Sequence, residues 1–302
     1  MKFLIDENGE GQRLDIFLTE NIENYSRAKI QTSIKKCDIL VNNKPVKASY
    51  VLKQKDLIEL NINLSQETLE LLPENIPLEI VWEDENMAVI NKPSNMLTHP
   101  TEQEMSGTLV NALLHYYGKE NLSNLNGDLR PGIVHRLDRN TSGLIMIAKN
   151  NLAHEYLVAE MKNKNFTKKY LAVVRGVLKQ DEFSIDKPIG RHLTQPHKQA
   201  IREDGKESLT LVKVLKRFSD ATLVELTLVT GRTHQIRVHL SSIGYPVYND
   251  TLYGFGKMKI KTEEQVLQSY KLEFTKPFTK ERIILEIPMD KKLEKVIRAL
   301  NN

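Results

Sequence analysis

The sequence predicts an α+β protein in two unequal parts: a small module over residues 1–65 and a larger domain over 78–302, joined by a linker at 66–77. Three observations predict it. Apolar residues alternate in period two over short runs such as 57–60, 78–83, 166–174 and 222–229, while only a few stretches repeat them at three and four. Pro73 and Pro77 stand four apart in a polar stretch, which favours an extended connection. Between 26 and 56, Arg27, Lys29, Lys35, Lys36, Lys44, Lys47, Lys53 and Lys55 face only Asp38 and Asp56 as acids.

Composition bounds the chemistry. Hydrophobic residues make up 40% of the 302, enough for a real core, and the formal charge of +4 permits a nucleic-acid partner. A single cysteine, Cys37, excludes a disulfide framework and a cysteine-based metal site. His234 and His239 are five apart and diverge on a helix, so no metal is expected. Met1 to Asp6 lacks the apolar core of a signal peptide, and no stretch approaches the roughly 20 apolar residues of a membrane span. A soluble, cytoplasmic, monomeric protein without a membrane partner is expected.

In the small module, Leu14, Phe17 and Leu18 place one apolar face on a helix starting near Gln12. Ser26 is placed to cap a second helix carrying Ile30 and Ile34. Ile39-Leu40-Val41, the turn Asn42-Asn43-Lys44-Pro45 and Val46 read as a β-hairpin. Leu57 to Leu60 reads as a further strand. A cationic stripe on such a module suits phosphate contacts, though a charge run is most often only a solvated face.

In the larger domain, Leu78 to Glu83 and Met87 to Ile90 read as strands. Residues 108–117 and 151–163 fit helices. Leu144 to Ala148 reads as a buried strand. Phe166 to Val174 is a strand that puts Lys168, Tyr170, Ala172 and Val174 on one face; core packing is the usual fate of such a tyrosine, but Lys168 and Lys169 make its entrance cationic. Residues 187–210 read as a long loop or hairpin carrying Arg191, Lys198 and Arg202, either a solvated loop or an arm that grips a polyanion. Thr222 to Val229 is a strand. It leads through Gly231 into a helix whose core stripe is Ile236, Leu240 and Ile243, stopped by Gly244 and Pro246. Strands at 272–274 and 283–287 and a short terminal helix follow.

The stretch His135-Arg136-Leu137-Asp138-Arg139-Asn140-Thr141-Ser142-Gly143 sets one carboxylate among cations, pinned against the strand at 144–148. An Asp among arginines is as a rule a surface ion pair worth little. Arg232 lies at the strand-to-helix junction, held by ordered elements on both sides. His234, Arg237 and His239 decorate the turn and the polar side of the helix, where packing and hydrogen bonding account for them equally well.

Taken together, these residues resemble the RluA/RluD family of pseudouridine synthases over essentially the whole chain. The resemblance rests on Asn91-Lys92-Pro93 with His99-Pro100, on His135 to Gly143, on Lys169 to Gly176, on Thr230 to Leu240, and on Gly244-Tyr245-Pro246 with Asp250 and Tyr253-Gly254. The module at 1–65 resembles an S4 RNA-binding domain through Arg13-Leu14-Asp15, Ser26-Arg27 and Val41-Asn42. Asn95, Asn249 and Leu267-Gln268-Ser269 depart from the family's usual residues. The resemblance implies a mixed, mainly antiparallel sheet with flanking helices and a central cleft. It implies isomerisation of uridine in RNA without a cofactor. Asp138 becomes the catalytic carboxylate, Arg232 its ion-pair partner, Tyr170 the residue packed on the target base, and Arg136 the group that fills the gap left by the flipped base. Arg27, Lys29, Lys35, Lys36, Lys168, Lys169, Arg191, Lys198 and Arg202 are the further RNA-binding candidates. Large-subunit (23S) ribosomal RNA, in the subunit or an assembly intermediate, is the expected partner. A tRNA-directed synthase and a non-catalytic RNA-binding or ribosome-assembly factor are the alternatives.

Overall fold

The computed structural model, which describes all residues but 23, 24, 26, 62–70, 102, 256, 257, 259 and 302, divides into Met1–Glu70 and Leu71–Asn302, each with a core of its own. Ser26 and the side chain of Lys29 lie outside the described residues. The N-terminal unit runs β1 (Lys2–Leu4), α1 (Leu14–Asn21), α2 (Arg27–Lys35), β2 (Ile39–Val41) and β3 (Leu57–Leu60). Leu14 and Leu18 of α1 and Ile30 and Ile34 of α2, each pair four apart, meet Ile39, Val41 and Ile58 of the sheet. The expected hairpin over 39–46 does not form. Asn42 and Asn43 turn the chain with φ of 51° and 59°, and an isolated bridge from Val41 to Lys44 is the only pairing across that turn. The reason is Asn42, whose Oδ1 accepts the Leu57 N–H at 2.9 Å while its Nδ2 donates to Asp56 at 2.8 Å. These bonds bring β3 alongside, and β3 pairs antiparallel with both β2 and β1.

The second half of the expected linker belongs to the larger unit. Leu71 and Ile76 pack on its core. Asn111 Nδ2 donates to the Leu72 carbonyl at 2.9 Å, and the Glu74 N–H donates to the Asn111 carbonyl at 3.0 Å. The prolines extend this segment without freeing it.

The larger unit continues with β4 (Ile80–Glu83), β5 (Met87–Lys92), α3 (Leu109–Tyr117), β6 (Ser142–Ala148), α4 (Asn151–Lys162), β7 (Thr167–Arg175), β8 (Glu182–Asp186), β9 (Ile189–Arg191), β10 (Gln199–Ile201), β11 (Leu209–Arg217), β12 (Ala221–Leu228), α5 (Gln235–Ser242), β13 (Leu267–Thr275), β14 (Arg282–Glu286) and α6 (Lys291–Leu300). Its main sheet runs β4-β5-β6-β13-β7-β12-β11-β8, with β14 added on β13. Among the described strands only β13 and β6 pair in parallel. Helices flank both faces. Leu109 and Leu113 of α3 and Ile236 and Leu240 of α5 share a core with Tyr170, Ala172 and Val174. On the opposite face Leu157 of α4 packs against Leu144 and Met146, and Leu293 and Val296 of α6 pack against Leu171 and Val173. The period-two reading of β7 holds residue by residue.

β13 pairs with β6 through Ser269, which faces Gly143. Its φ of +110° suits glycine, and an added Cβ would collide with the Ser269 backbone. Gly143→Ala is expected to cost about 3 kcal/mol or more, read as a fall in the urea midpoint; an unchanged midpoint removes this account.

Candidate active site

The 135–143 turn enters β6 directly and is fixed from two sides. Thr98 donates to the Leu137 carbonyl at 2.8 Å and accepts the Leu137 N–H at 3.2 Å. Lys92, at the end of β5, is fully buried. Its ammonium donates to the carbonyls of Pro93, Met96 and Arg139 at 2.7, 2.8 and 3.2 Å. Burial pushes its pKa down to about 7, with Asp138 opposing the fall. Lys92 thus braces the turn that presents Asp138 through three carbonyls.

The side chain of Asp138 is 17% exposed, and its Oδ2 accepts from Arg237 Nη1 at 2.9 Å. The other edge of the same guanidinium grips Asp250, Nε to Oδ2 at 2.7 Å and Nη2 to Oδ1 at 3.0 Å. Asp250 also accepts the N–H groups of Leu252 and Tyr253. Burial raises the pKa of Asp250, yet Arg237 and these N–H donors carry it below the usual carboxylate range. Burial likewise opposes the charge on Arg237, and the two carboxylates more than reverse that. A fork held by Asp250 therefore aims one N–H at Asp138.

The expected partner, Arg232, is not in this pair. It is exposed, and its Nε donates to the Glu207 carbonyl at 3.0 Å. The helical phase explains the exchange. Arg232 precedes α5, in the loop after β12, whereas Arg237 sits in the helix's first turn, where side chains lean back towards the N-terminus. Arg237 is also three residues before the buried Leu240, hence beside the core stripe. Gln235 fixes the junction, accepting from Thr230 Oγ1 and the Arg232 N–H and donating to Leu209 and Thr210.

Asp138, Tyr170, Arg136, Lys168, Phe166 and His234 line one cleft of about 580 Å³, a size that accepts a nucleotide. Tyr170 is 5% exposed. Burial, and then Asp138, push its phenol well above the ordinary range against a Ser269 bond, so it carries its proton at neutral pH. Lys168 faces the cleft, and burial lowers its pKa to about 8. Its neighbour Lys169 points to the opposite face and pairs with Glu225 at 3.0 Å, so that candidate is withdrawn from the cleft by strand alternation. Arg136 is exposed and, among the described residues, its guanidinium has no hydrogen bond or ion pair. Arg139 pairs with Glu104.

Two histidines are structural. His135 Nε2 accepts the Met146 N–H at 2.9 Å, and burial, then Lys168, lower its pKa to about 3, so it is neutral. His239 bridges Thr210 Oγ1 and the Lys187 carbonyl. The remaining cationic candidates divide. Arg27 is bound to the buried Asp15 by Nε and Nη2 at 3.0 and 2.9 Å, with Arg13 and Gln31 on the same carboxylate. Lys35 and Lys36 are exposed. Residues 187–210 contain the β9–β10 hairpin. There Arg191 is exposed, Lys198 is half-buried, and Arg202 is held by Asp204 and the Arg191 carbonyl.

Sequence reasoning missed Arg237, Asp250 as its anchor, and Lys92 under the turn. A buried-side arginine in the first turn of α5 was the available signal for the first. The other two follow from contacts across many residues.

The chain is similar to known proteins. The family described as RNA pseudouridylate synthase matches residues 86–242. The uncharacterized RNA pseudouridine synthase YlyB of Bacillus subtilis is 41% identical over 97% of this chain and 96% of its own. The ribosomal large subunit pseudouridine synthase D of Xanthomonas campestris is 33% identical over 98% of this chain and 91% of its own. Among solved structures, human RNA pseudouridylate synthase domain containing 1 is 26% identical with a TM-score of 0.58, over 79% of this chain and 98% of that one. The matched stretch contains the turn at Asp138, the strand at Tyr170 and the helix at Arg237, so the chain belongs to the RluA/RluD family of RNA pseudouridine synthases, isomerases that convert uridine to pseudouridine.

Proposed function

We propose that the enzyme modifies large-subunit ribosomal RNA, with Asp138 as the reacting carboxylate. The observation that carries the site reading is the Asp138 carboxylate, held through Oδ2 by a doubly anchored Arg237 in a nucleotide-sized cleft beside Tyr170. The reaction breaks the N1–C1′ bond, forms a C5–C1′ bond, releases the C5 proton and returns a proton to N1. Attack of the carboxylate at C1′ and removal of the C2′ proton both need an ionised Asp138, and Arg237 supplies the opposite charge that a half-buried carboxylate requires. Tyr170, buried and protonated, packs against the base. The target uridine leaves its stack to enter the cleft, at a cost of a few kcal/mol. Arg136 is free to fill the gap, its planar group stacking and hydrogen-bonding at once. Lys168 adds positive charge inside the cleft.

Recognition away from the cleft falls to the N-terminal unit, read as an S4 domain with Lys29, Lys35 and Lys36 towards phosphates, and to Arg191 and Lys198 on the β9–β10 hairpin. Arg27 braces Asp15. The name of the Xanthomonas relative supports the ribosomal target. Mapping pseudouridines in a deletion strain tests the target: loss of a site in large-subunit RNA is expected, and a loss confined to tRNA overturns it. Arg136→Ala is expected to slow single-turnover conversion by roughly tenfold or more; an unchanged rate removes its role in flipping.

A further inference from the structure

His234 occupies an unusual position. It precedes α5 in the left-handed region, with φ 56°, and its ring is half-buried in the cleft wall. Its Nδ1 lies 2.7 Å from Tyr253 Oη, and its Nε2 lies 3.9 Å from Asp138 Oδ1, the oxygen that Arg237 leaves free. Tyr253 Oη in turn accepts the backbone N–H of Gln199, on β10, at 2.8 Å. The Tyr253 ring also lies under Arg237, 5.1 Å from ring centre to guanidinium carbon.

The bonding pattern fixes the tautomer. Among the described residues, Oη has two hydrogen-bond neighbours, Gln199 N–H and His234 Nδ1. The first can only donate. The phenol proton is therefore satisfied by donation to Nδ1, which leaves the imidazole proton on Nε2. That N–H faces the free oxygen of Asp138. At 3.9 Å it is beyond hydrogen-bond length, as catalytic hydrogen bonds often are before substrate is bound.

We propose that His234 is a positioning residue for Asp138 Oδ1, locked in its Nε2–H tautomer by Tyr253, and that the β9–β10 hairpin sets this lock through the Gln199 N–H. This rests on Asp138 as the reacting carboxylate. Arg237 and His234 then address different oxygens of one carboxylate, so its plane is defined and Oδ1 is the atom presented to ribose. The hairpin, which carries Arg191 and Lys198, reaches the carboxylate through three consecutive groups, so engagement of RNA on the hairpin and alignment of the reacting atom are one event.

The Tyr253→Phe enzyme tests it, because the ring stays under Arg237 and only Oη is lost. Asp138 and Asp250 favour a charged His234; burial first, then Arg237 and Arg136, oppose it, and the substitution leaves all of these in place. The Tyr253 hydroxyl also opposes protonation, because Nδ1 is occupied as an acceptor. Its removal raises the affinity of His234 for a proton, and an imidazolium beside Oδ1 draws off the charge that Asp138 needs. Single-turnover tritium release between about pH 5 and 8 is expected to be slower by roughly 10- to 100-fold, with its acidic limb moved to higher pH and RNA affinity unchanged. A rate and pH profile matching wild type overturn the relay, as does a loss confined to RNA affinity. Independently of how Tyr253→Phe folds, His234→Gln, which keeps an N–H and does not titrate, is expected to recover most of the rate lost in His234→Ala; equal rates for wild type and His234→Ala also overturn it. Activity surviving in Asp138→Asn would instead remove the reading of Asp138 itself.

Discussion

Asp138→Asn is expected to end pseudouridine formation and to leave RNA binding in place. The two side chains have the same size, and the amide oxygen can still accept from Arg237 Nη1. Arg237 keeps both bonds to Asp250, and Lys92 and Thr98 still hold the turn. The fold therefore survives. What disappears is charge: an amide neither attacks C1′ nor takes a proton from C2′. Loss of a reacting group in a cleft that still binds leaves only residual catalysis, so the expected fall exceeds about 10⁴-fold. Tritium release from uridine-labelled RNA measures the chemistry and filter retention measures the binding. Product at wild-type rate excludes Asp138 as the reacting carboxylate; lost retention assigns it to binding.

The second large effect belongs to Arg237→Met. The substitution fills similar space but strands two carboxylates, of which the Asp250 side chain is 0% exposed. Breaking a buried pair by removing one partner costs about 3–5 kcal/mol, and conversion should drop by about a hundredfold or more as Asp138 loses its orientation and counter-charge. The pH dependence has a definite sign. In the wild type the pKa of Asp250 is depressed, so its contribution is present above the unfolded value of about 4 and is lost as pH falls through the folded one. Without Arg237, burial pushes the pKa of Asp250 up against only the Leu252 and Tyr253 N–H groups. The variant's deficit is then greatest at neutral pH and shrinks at lower pH, as the stranded Asp250 carboxylate takes up a proton. Urea unfolding at neutral and at lower pH reads this directly, and a deficit independent of pH contradicts it. Arg232→Ala, by contrast, removes one bond to the Glu207 carbonyl and should leave the chemical step near wild type.

The contrast between the two arginines shows where sequence reading reaches its limit. Strand and helix periodicity placed β5, β6, β7, β12, α3, α4 and α5 within a few residues of their observed bounds, because their apolar faces are regular. β8 and β11 were not read from the sequence; the loop or hairpin read at 187–210 lies between them and takes in only the first two residues of β11. In β11, Leu211 and Leu215 are exposed and lysines alternate with them, so the inward face is carried mainly by Val212. Asp138 and Tyr170 were legible because each lies in a distinctive local run. Their partners were not: Arg237 is 99 residues from Asp138, and which of two arginines a helix start turns inward depends on its phase against the core. Gln199 is further from any local signature, since its bond to Tyr253 uses a backbone N–H that any residue but proline supplies.

The place of β13 in the sheet has a consequence for assembly. β5 with β6, and β7 with β12, β11 and β8, are neighbours in antiparallel order. Each group can pair soon after it leaves the ribosome. They share no strand contact until β13 slots between β6 and β7, as when Ser269 donates to the Leu144 carbonyl across 125 positions. Until that late strand arrives, the edges of β6 and β7 are open templates for another chain, and the carboxylate before β6 and the tyrosine on β7 belong to separate half-sheets. Maturation of the catalyst therefore waits on the closure of segments far apart in the chain.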